Sequence, residues 1–177
     1  MNADDFYGRD ALKQAYDFLI SHIEPANHCI ITYPITSTLS EYGTVSRGIC
    51  EVRDGKLTKI VEHTKVGYKE GRLIHTAEDG HEVLVSEDAP ANMNLFGFQQ
   101  SFFDMLDSEC RKFFEAFITE PKREFFLPSV VMEIIKEDAG TITAISTTST
   151  WFGMTNPEDR AEAKNKIQKL VEKGVYL

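Results

Sequence analysis

The spacing of apolar residues along this chain changes period several times, and each change marks an element. Leu12, Ala15, Tyr16, Leu19 and Ile23 recur at intervals of three and four, which predicts a helix from a cap at Asp10 to about His22. Pro25-Ala26-Asn27 ends it, and His28–Ile35 (HCIITYPI) follows as a nearly unbroken apolar run, read as a buried strand. Met1–Gly8 (MNADDFYG) reads as the end of an earlier buried strand that delivers an acidic pair into an α/β active site. The opening is then strand, helix, strand, the right-handed unit of a parallel sheet.

The middle of the chain reads as hairpins. Gly43–Val52 and Leu57–His63 flank Arg53-Asp54-Gly55-Lys56, and Asp-Gly between two strand-like runs favours a tight turn. Arg72–Thr76 and Glu82–Val85 flank Glu78-Asp79-Gly80 in the same way. This second pair is charged throughout, so residues 66–90 are taken as an exposed β-hairpin insertion. Met93–Phe98 (MNLFGF) predicts a further strand.

Helices return after it. Phe102, Phe103, Leu106, Cys110, Phe113, Phe114 and Phe117 are assigned to one core-facing helical face. Pro128 opens a helix through Lys136, Thr141–Thr150 alternates like a half-exposed strand, and Asn156-Pro157-Glu158-Asp159 starts a last helix that Gly174 ends. With no repeat, low-complexity stretch or linker, residues 1–177 read as a single domain.

Composition narrows the function classes. The net charge of −9 argues against a nucleic-acid partner held through phosphates, although an acidic protein still binds nucleotides where Mg²⁺ bridges the like charges. No apolar run approaches the roughly 20 residues of a membrane span. Cys29, Cys50 and Cys110 are far apart and odd in number, as expected of reduced thiols, and no basic-then-apolar leader pattern opens the chain. The expected location is cytoplasmic.

Four segments carry candidate chemistry. Asp4 and Asp5 at a strand end repel each other unless a cation compensates, and hard oxygen ligands suit Mg²⁺; the alternative is an acid capping the next helix. Leu39–Gly48 sets two glycines around polar residues, either a loop that lets a ligand approach backbone or a pair of simple turns. In Val61–Lys65, Glu62 offers a hydroxyl acceptor and Lys65 a phosphate-seeking charge, or the segment is a solvated strand end. Lys122–Ser129 puts cations and Glu124 at a helix start, functional or merely solvated. Nothing points to a nucleophile, and His28, His63 and His81 lack zinc-ligand spacing, so no catalytic residue is assigned.

Taken in order, NADDFYG, LSEYGTVSRGICEV, KIVEHTK, MNLFGF, EFFLPSVV and WFGMT resemble the sugar nucleotidyltransferase family over nearly the whole chain. The likeness is greatest to the bacterial branch related to glucose-1-phosphate thymidylyltransferases. It implies an α/β, partial Rossmann-like nucleotide-diphospho-sugar transferase fold, a mixed sheet with helices and the β-hairpin insertion. It also implies transfer of a nucleotidyl group from a nucleoside triphosphate to a sugar 1-phosphate or similar phosphate acceptor, with Mg²⁺ as cofactor. That chemistry is mostly positioning and charge neutralisation.

By this resemblance Asp4, or its neighbour Asp5, is the metal-binding aspartate. Glu62 holds sugar hydroxyls, Gly43 offers its backbone to the sugar, Asn94 lines the sugar pocket, and Glu124 precedes the helix that closes it. Lys65 stands near the family's lysine, but His63-Thr64-Lys65 departs from the Glu-Lys-Pro pattern. Gly153 stands where relatives carry a second metal aspartate, which leaves Asp159 as the substitute. The family's glycine-rich basic loop and the base-binding strands have no counterpart, about three strand–helix units or roughly 90 residues.

Three readings follow. The first is the acceptor half of a nucleotidyltransferase, inactive alone and partnered by a complementing N-terminal fragment. The second is a non-catalytic, self-associating interaction or regulatory protein, a homo-oligomer built on exposed apolar surface and an unpaired sheet edge. The third, a metal-dependent glycosyltransferase, needs an Asp-x-Asp pair that Asn2-Ala3-Asp4-Asp5 does not supply.

Overall fold

The computed structural model describes residues 1–40, 43–120, 122–153 and 159–175. Its core is a ring of five strands. Strand β2 (Asn27–Pro34) has β7 (Pro90–Gly97) antiparallel on one side and β8 (Thr141–Ser146) parallel on the other. Strand β3 (Val45–Arg53) adds to β7 and pairs along its length with β4 (Lys56–Lys69). The ring closes where Lys56 of β4 meets Thr143 of β8 and the Ala144 N–H donates to the Gly55 carbonyl at 2.9 Å. Strands β5 (Arg72–Thr76) and β6 (Glu82–Leu84) extend the far half of β4 outward.

The Rossmann-like expectation is therefore corrected: the molecule is a mixed α/β protein dominated by a closed five-stranded barrel. Two local causes are visible. The Asp-Gly hairpin gives β4 fourteen residues, enough to serve β3, β8 and β5 in succession. And Met1–Gly8 does not enter the main sheet. It contributes only β1 (Asp5–Phe6), antiparallel to β9 (Phe152–Gly153) in a separate ribbon, so no parallel strand–helix–strand unit forms at the start.

Each ring strand sends one buried residue into a shared cluster: Cys50, Phe96, Ile30, Ile142 and Leu57. Helix α3 (Leu127–Lys136) covers that cluster with Val130, Val131 and Ile134, its proline at the start as expected. The opposite face of β2 buries Ile31 and Tyr33 against Ala11 and Ala15 of α1 (Arg9–Ser21). Gly8, not Asp10, is the residue before α1, and it makes no side-chain cap. Val66 and Leu73, within the stretch read as an insertion, join this second cluster.

The aromatic face of α2 (Ser101–Phe117) is corrected too. Only Phe102 is buried, while Phe103 and Phe114 are exposed. At 3.6 residues per turn those two lie about 100° or more around the helix from Phe102. Helix α4 (Asp159–Glu172) precedes Gly174, which takes φ +72°; residues 156–158 of its expected start lie outside the described residues. Among the described residues, no helix is long and apolar enough to cross a membrane.

One buried group makes stability depend on pH. The His28 Nδ1 accepts the Gln99 N–H at 3.1 Å, and Phe98 and Phe102 meet the ring edge-on. Burial lowers its pKa, so the fold favours the neutral ring. This stability is fully present above the unfolded histidine value of about 6.5 and is lost as pH falls below it. Thermal melts from pH 7.5 to 5 are expected to show a falling Tm. His28→Asn, which keeps an acceptor for Gln99, should flatten that limb.

Candidate functional site

A cavity of about 690 Å³ opens where the N-terminal segment, β3, β4, β7 and the first turn of α3 meet. Its wall on β7 is made by a bulge. Ile30 pairs with Phe96 but Thr32 pairs with Asn92, so β7 carries extra residues between them. Asn94 takes φ +61° there, and the Asn92 side chain secures it by accepting its N–H at 2.8 Å and donating to its Oδ1 at 3.1 Å. A bulge re-aims a side chain; here Asn94 reaches the Asn2 Oδ1 at 3.4 Å.

The acidic side is held by two buried phenols. The Tyr33 hydroxyl donates to the Tyr7 carbonyl and the Tyr7 hydroxyl to the Met93 carbonyl, each at 2.7 Å. Burial pushes both phenols far up, so they serve as neutral donors. The Asp5 Oδ2 lies 3.2 Å from the Tyr7 hydroxyl and accepts from the Asn2 amide at 3.0 Å. Asp4 is exposed beside it on the cavity wall.

Opposite stands Arg47. Its Nε donates to the Thr38 carbonyl at 3.1 Å and hydroxyl at 3.2 Å, and its Nη1 to the Ser46 carbonyl at 2.8 Å. The guanidinium carbon sits 5.2 Å from the Trp151 ring centre. Burial pulls the Arg47 pKa down while Glu62 and Asp5 oppose the shift, and a guanidinium stays charged at neutral pH. Glu62, across the β3–β4 pair from Gly48, is drawn upward by partial burial, against the pull of Arg47 and His63. A methyl on Gly48 would lie 3.0 Å from Ile60 and 3.5 Å from the Glu62 Oε2, so the bare glycine keeps the floor open.

The cavity thus brings together Asp4, Asp5, Glu62 and Asn94. It does not include Lys65, which is exposed at φ +51°, where β4 shifts register against β3. Gly43 is exposed and bridges Ser40, away from the cavity lining; its neighbours Glu41 and Tyr42 lie outside the described residues. Glu124 lines a second, adjoining cavity. Gly153 pairs with Asp5, and an added methyl there would meet the Asp5 Oδ1 at 2.9 Å.

Arg47, Asn92 and Trp151 also line the cavity; the sequence assigned none of them a role of its own, although Arg47 lies in the Leu39–Gly48 candidate segment. A signal for Arg47 was present: counting back from the Asp54-Gly55 turn sets Arg47 opposite Glu62, and a register shift between Glu51 and Val52 moves the pairing by one residue, to Gly48 with Glu62 and Arg47 with His63.

Mg²⁺ fits only in one mode. Among the described residues no group of three His, Cys, Asp or Glu side chains gathers as a ligand set. Asp4 and Asp5 offer the one or two carboxylates that Mg²⁺ uses when water and substrate phosphates complete its shell. Compared with known proteins, the chain matches no family model and no curated sequence.

Proposed function

We propose that this cavity is the acceptor site of a nucleotidyltransferase, taking a sugar 1-phosphate or a similar phosphate acceptor. The observation that carries the reading is the convergence of an anchored cation, Arg47, with Glu62, Asn92 and Asn94 in one cavity. A polyhydroxylated anion needs both: acceptors and amides for its hydroxyls, and a fixed guanidinium for its phosphate. The first turn of α3, with Pro128 and Ser129 on the wall, adds a helix N-terminus that favours an anion. Asp4 and Asp5 would hold Mg²⁺ against that phosphate, and the metal would neutralise charge during transfer. Fold-level likeness lends no weight here; the site chemistry does. The compartment that suits the reading is the cytoplasm, where free thiols persist.

Isothermal titration with glucose 1-phosphate, with and without Mg²⁺, tests it. Binding that Mg²⁺ strengthens is expected, with Glu62→Gln weakening it by about tenfold, one lost charged hydrogen bond. Absence of heat at millimolar ligand, with and without Mg²⁺, would sink the proposal.

A second reading, a non-catalytic self-associating protein, draws on one observation. Leu12, Tyr16, Ile20 and Ile23 form an exposed apolar stripe along α1 and just beyond it. Sedimentation equilibrium decides: a dimer that Tyr16→Glu dissociates supports this reading, and a monomer at every concentration removes it.

A further inference from the structure

The second cavity, of about 730 Å³, lies between the end of α2 and the start of α3. It shares Phe126 and Ser129 with the first cavity. Its wall is aromatic: Phe113 has both Phe117 and Phe125 at 5.2 Å between ring centres. Phe126 is 59% exposed beside them, a large apolar cost unless something covers it. The rim is basic. Arg123 lies over the Phe117 ring at 4.6 Å, which holds the guanidinium against the aromatic wall. Lys112 is neutralised by Glu109 at 2.6 Å, and Glu124 is exposed on the same rim. Among the described residues no carboxylate pairs with Lys122 or Arg123.

Half-buried rings beside two unpaired cations match one ligand chemistry. We propose that this groove binds an amphipathic anion, a single acyl or prenyl chain with a phosphate or carboxylate head. The chain lies against Phe113, Phe117, Phe125 and Phe126, and the head meets Lys122 and Arg123. The volume lies in the range of small-molecule sites. A molecule of net charge −9 repels anions at long range, so the head must be held by these two side chains at contact distance. The site stands independently of the nucleotidyltransferase reading.

Titration of the full chain with dodecyl phosphate below its micellar concentration tests the site. Inorganic phosphate and octaethylene glycol monododecyl ether, the same chain with a neutral head, serve as comparators. Dodecyl phosphate is expected to bind, and each comparator to bind at least about tenfold more weakly. Lys122→Glu with Arg123→Glu, both on exposed positions, should lower dodecyl phosphate affinity by at least about tenfold with an unchanged Tm. Phe126→Ala should weaken binding of the chain, and Arg47→Ala should leave it unaltered. Equal uptake of the neutral amphiphile, or indifference to the double charge reversal, overturns the proposal. So does a dimer that the charge reversal dissociates without dodecyl phosphate uptake, since a second copy would then fill the groove.

Discussion

Arg47→Ala is expected to weaken glucose 1-phosphate binding by about 30- to 150-fold. A hydrogen bond to a charged group is worth about 2–3 kcal/mol, and each 1.4 kcal/mol is tenfold. The size follows from how the guanidinium is held. Thr38 and Ser46 carbonyls occupy three sides of it and Trp151 its face, so it enters the complex already ordered and little entropy is lost on binding. Arg47→Lys keeps a charge but not the fork, so a loss of about tenfold is expected from the missing charged hydrogen bond. The substitution also strands the buried Thr38 carbonyl, so a fall in Tm accompanies it. Competition by unphosphorylated glucose separates the effects. If Arg47 meets the phosphate, glucose binds the variant as it binds the parent; if glucose suffers equally, Arg47 only shapes the wall.

Arg47 was visible only as part of the Leu39–Gly48 candidate segment, with no role of its own, and the reason shows what was legible. Local signals worked: the Asp-Gly turn marked the β3–β4 hairpin, the apolar run marked β2, and Pro128 marked the start of α3. Closure of the barrel was not legible, because it depends on Gly55 and Lys56 meeting Thr143 and Ala144, far apart in sequence and ordinary in composition. The same holds for the bulges. Nothing in the sequence pattern announces that Asn94 and Lys65, both non-glycine, take positive φ. Yet those two angles accompany opposite outcomes, Asn94 on the cavity wall and Lys65 outside it, and Arg47 is the cation that lines the cavity instead. Asp5 and Glu62 meet in one cavity because the β1–β9 ribbon and the hairpin both border it, a juxtaposition that spacing alone does not encode.

Gly8→Ala is expected to destabilise the fold by about 2–5 kcal/mol. Gly8 holds φ +81° and ψ +149°, a region open essentially to glycine, and forcing another residue there costs about 1–3 kcal/mol. A methyl would also stand 2.8 Å from the Ser149 Cβ and 3.3 Å from the Thr150 carbonyl, an overpacking worth a further 1–2 kcal/mol or so. Ser149 cannot simply yield, since its hydroxyl accepts the Ala11 N–H at 3.1 Å and satisfies an otherwise unpaired donor in the first turn of α1. Neither can Gly8, because the preceding carbonyl is the acceptor for Tyr33. At about 2–4 °C per kcal/mol for a domain of this size, Tm should drop by roughly 4–20 °C. Gly71→Ala isolates the contact: its φ is +75° but no atom lies within 4 Å of the added methyl, so only the backbone cost remains. Equal losses for the two variants would mean that Ser149 moves freely. A larger loss for Gly8→Ala, together with weakened sugar-phosphate binding, would show that this glycine locks the segment carrying Trp151 against the strand carrying Asp5.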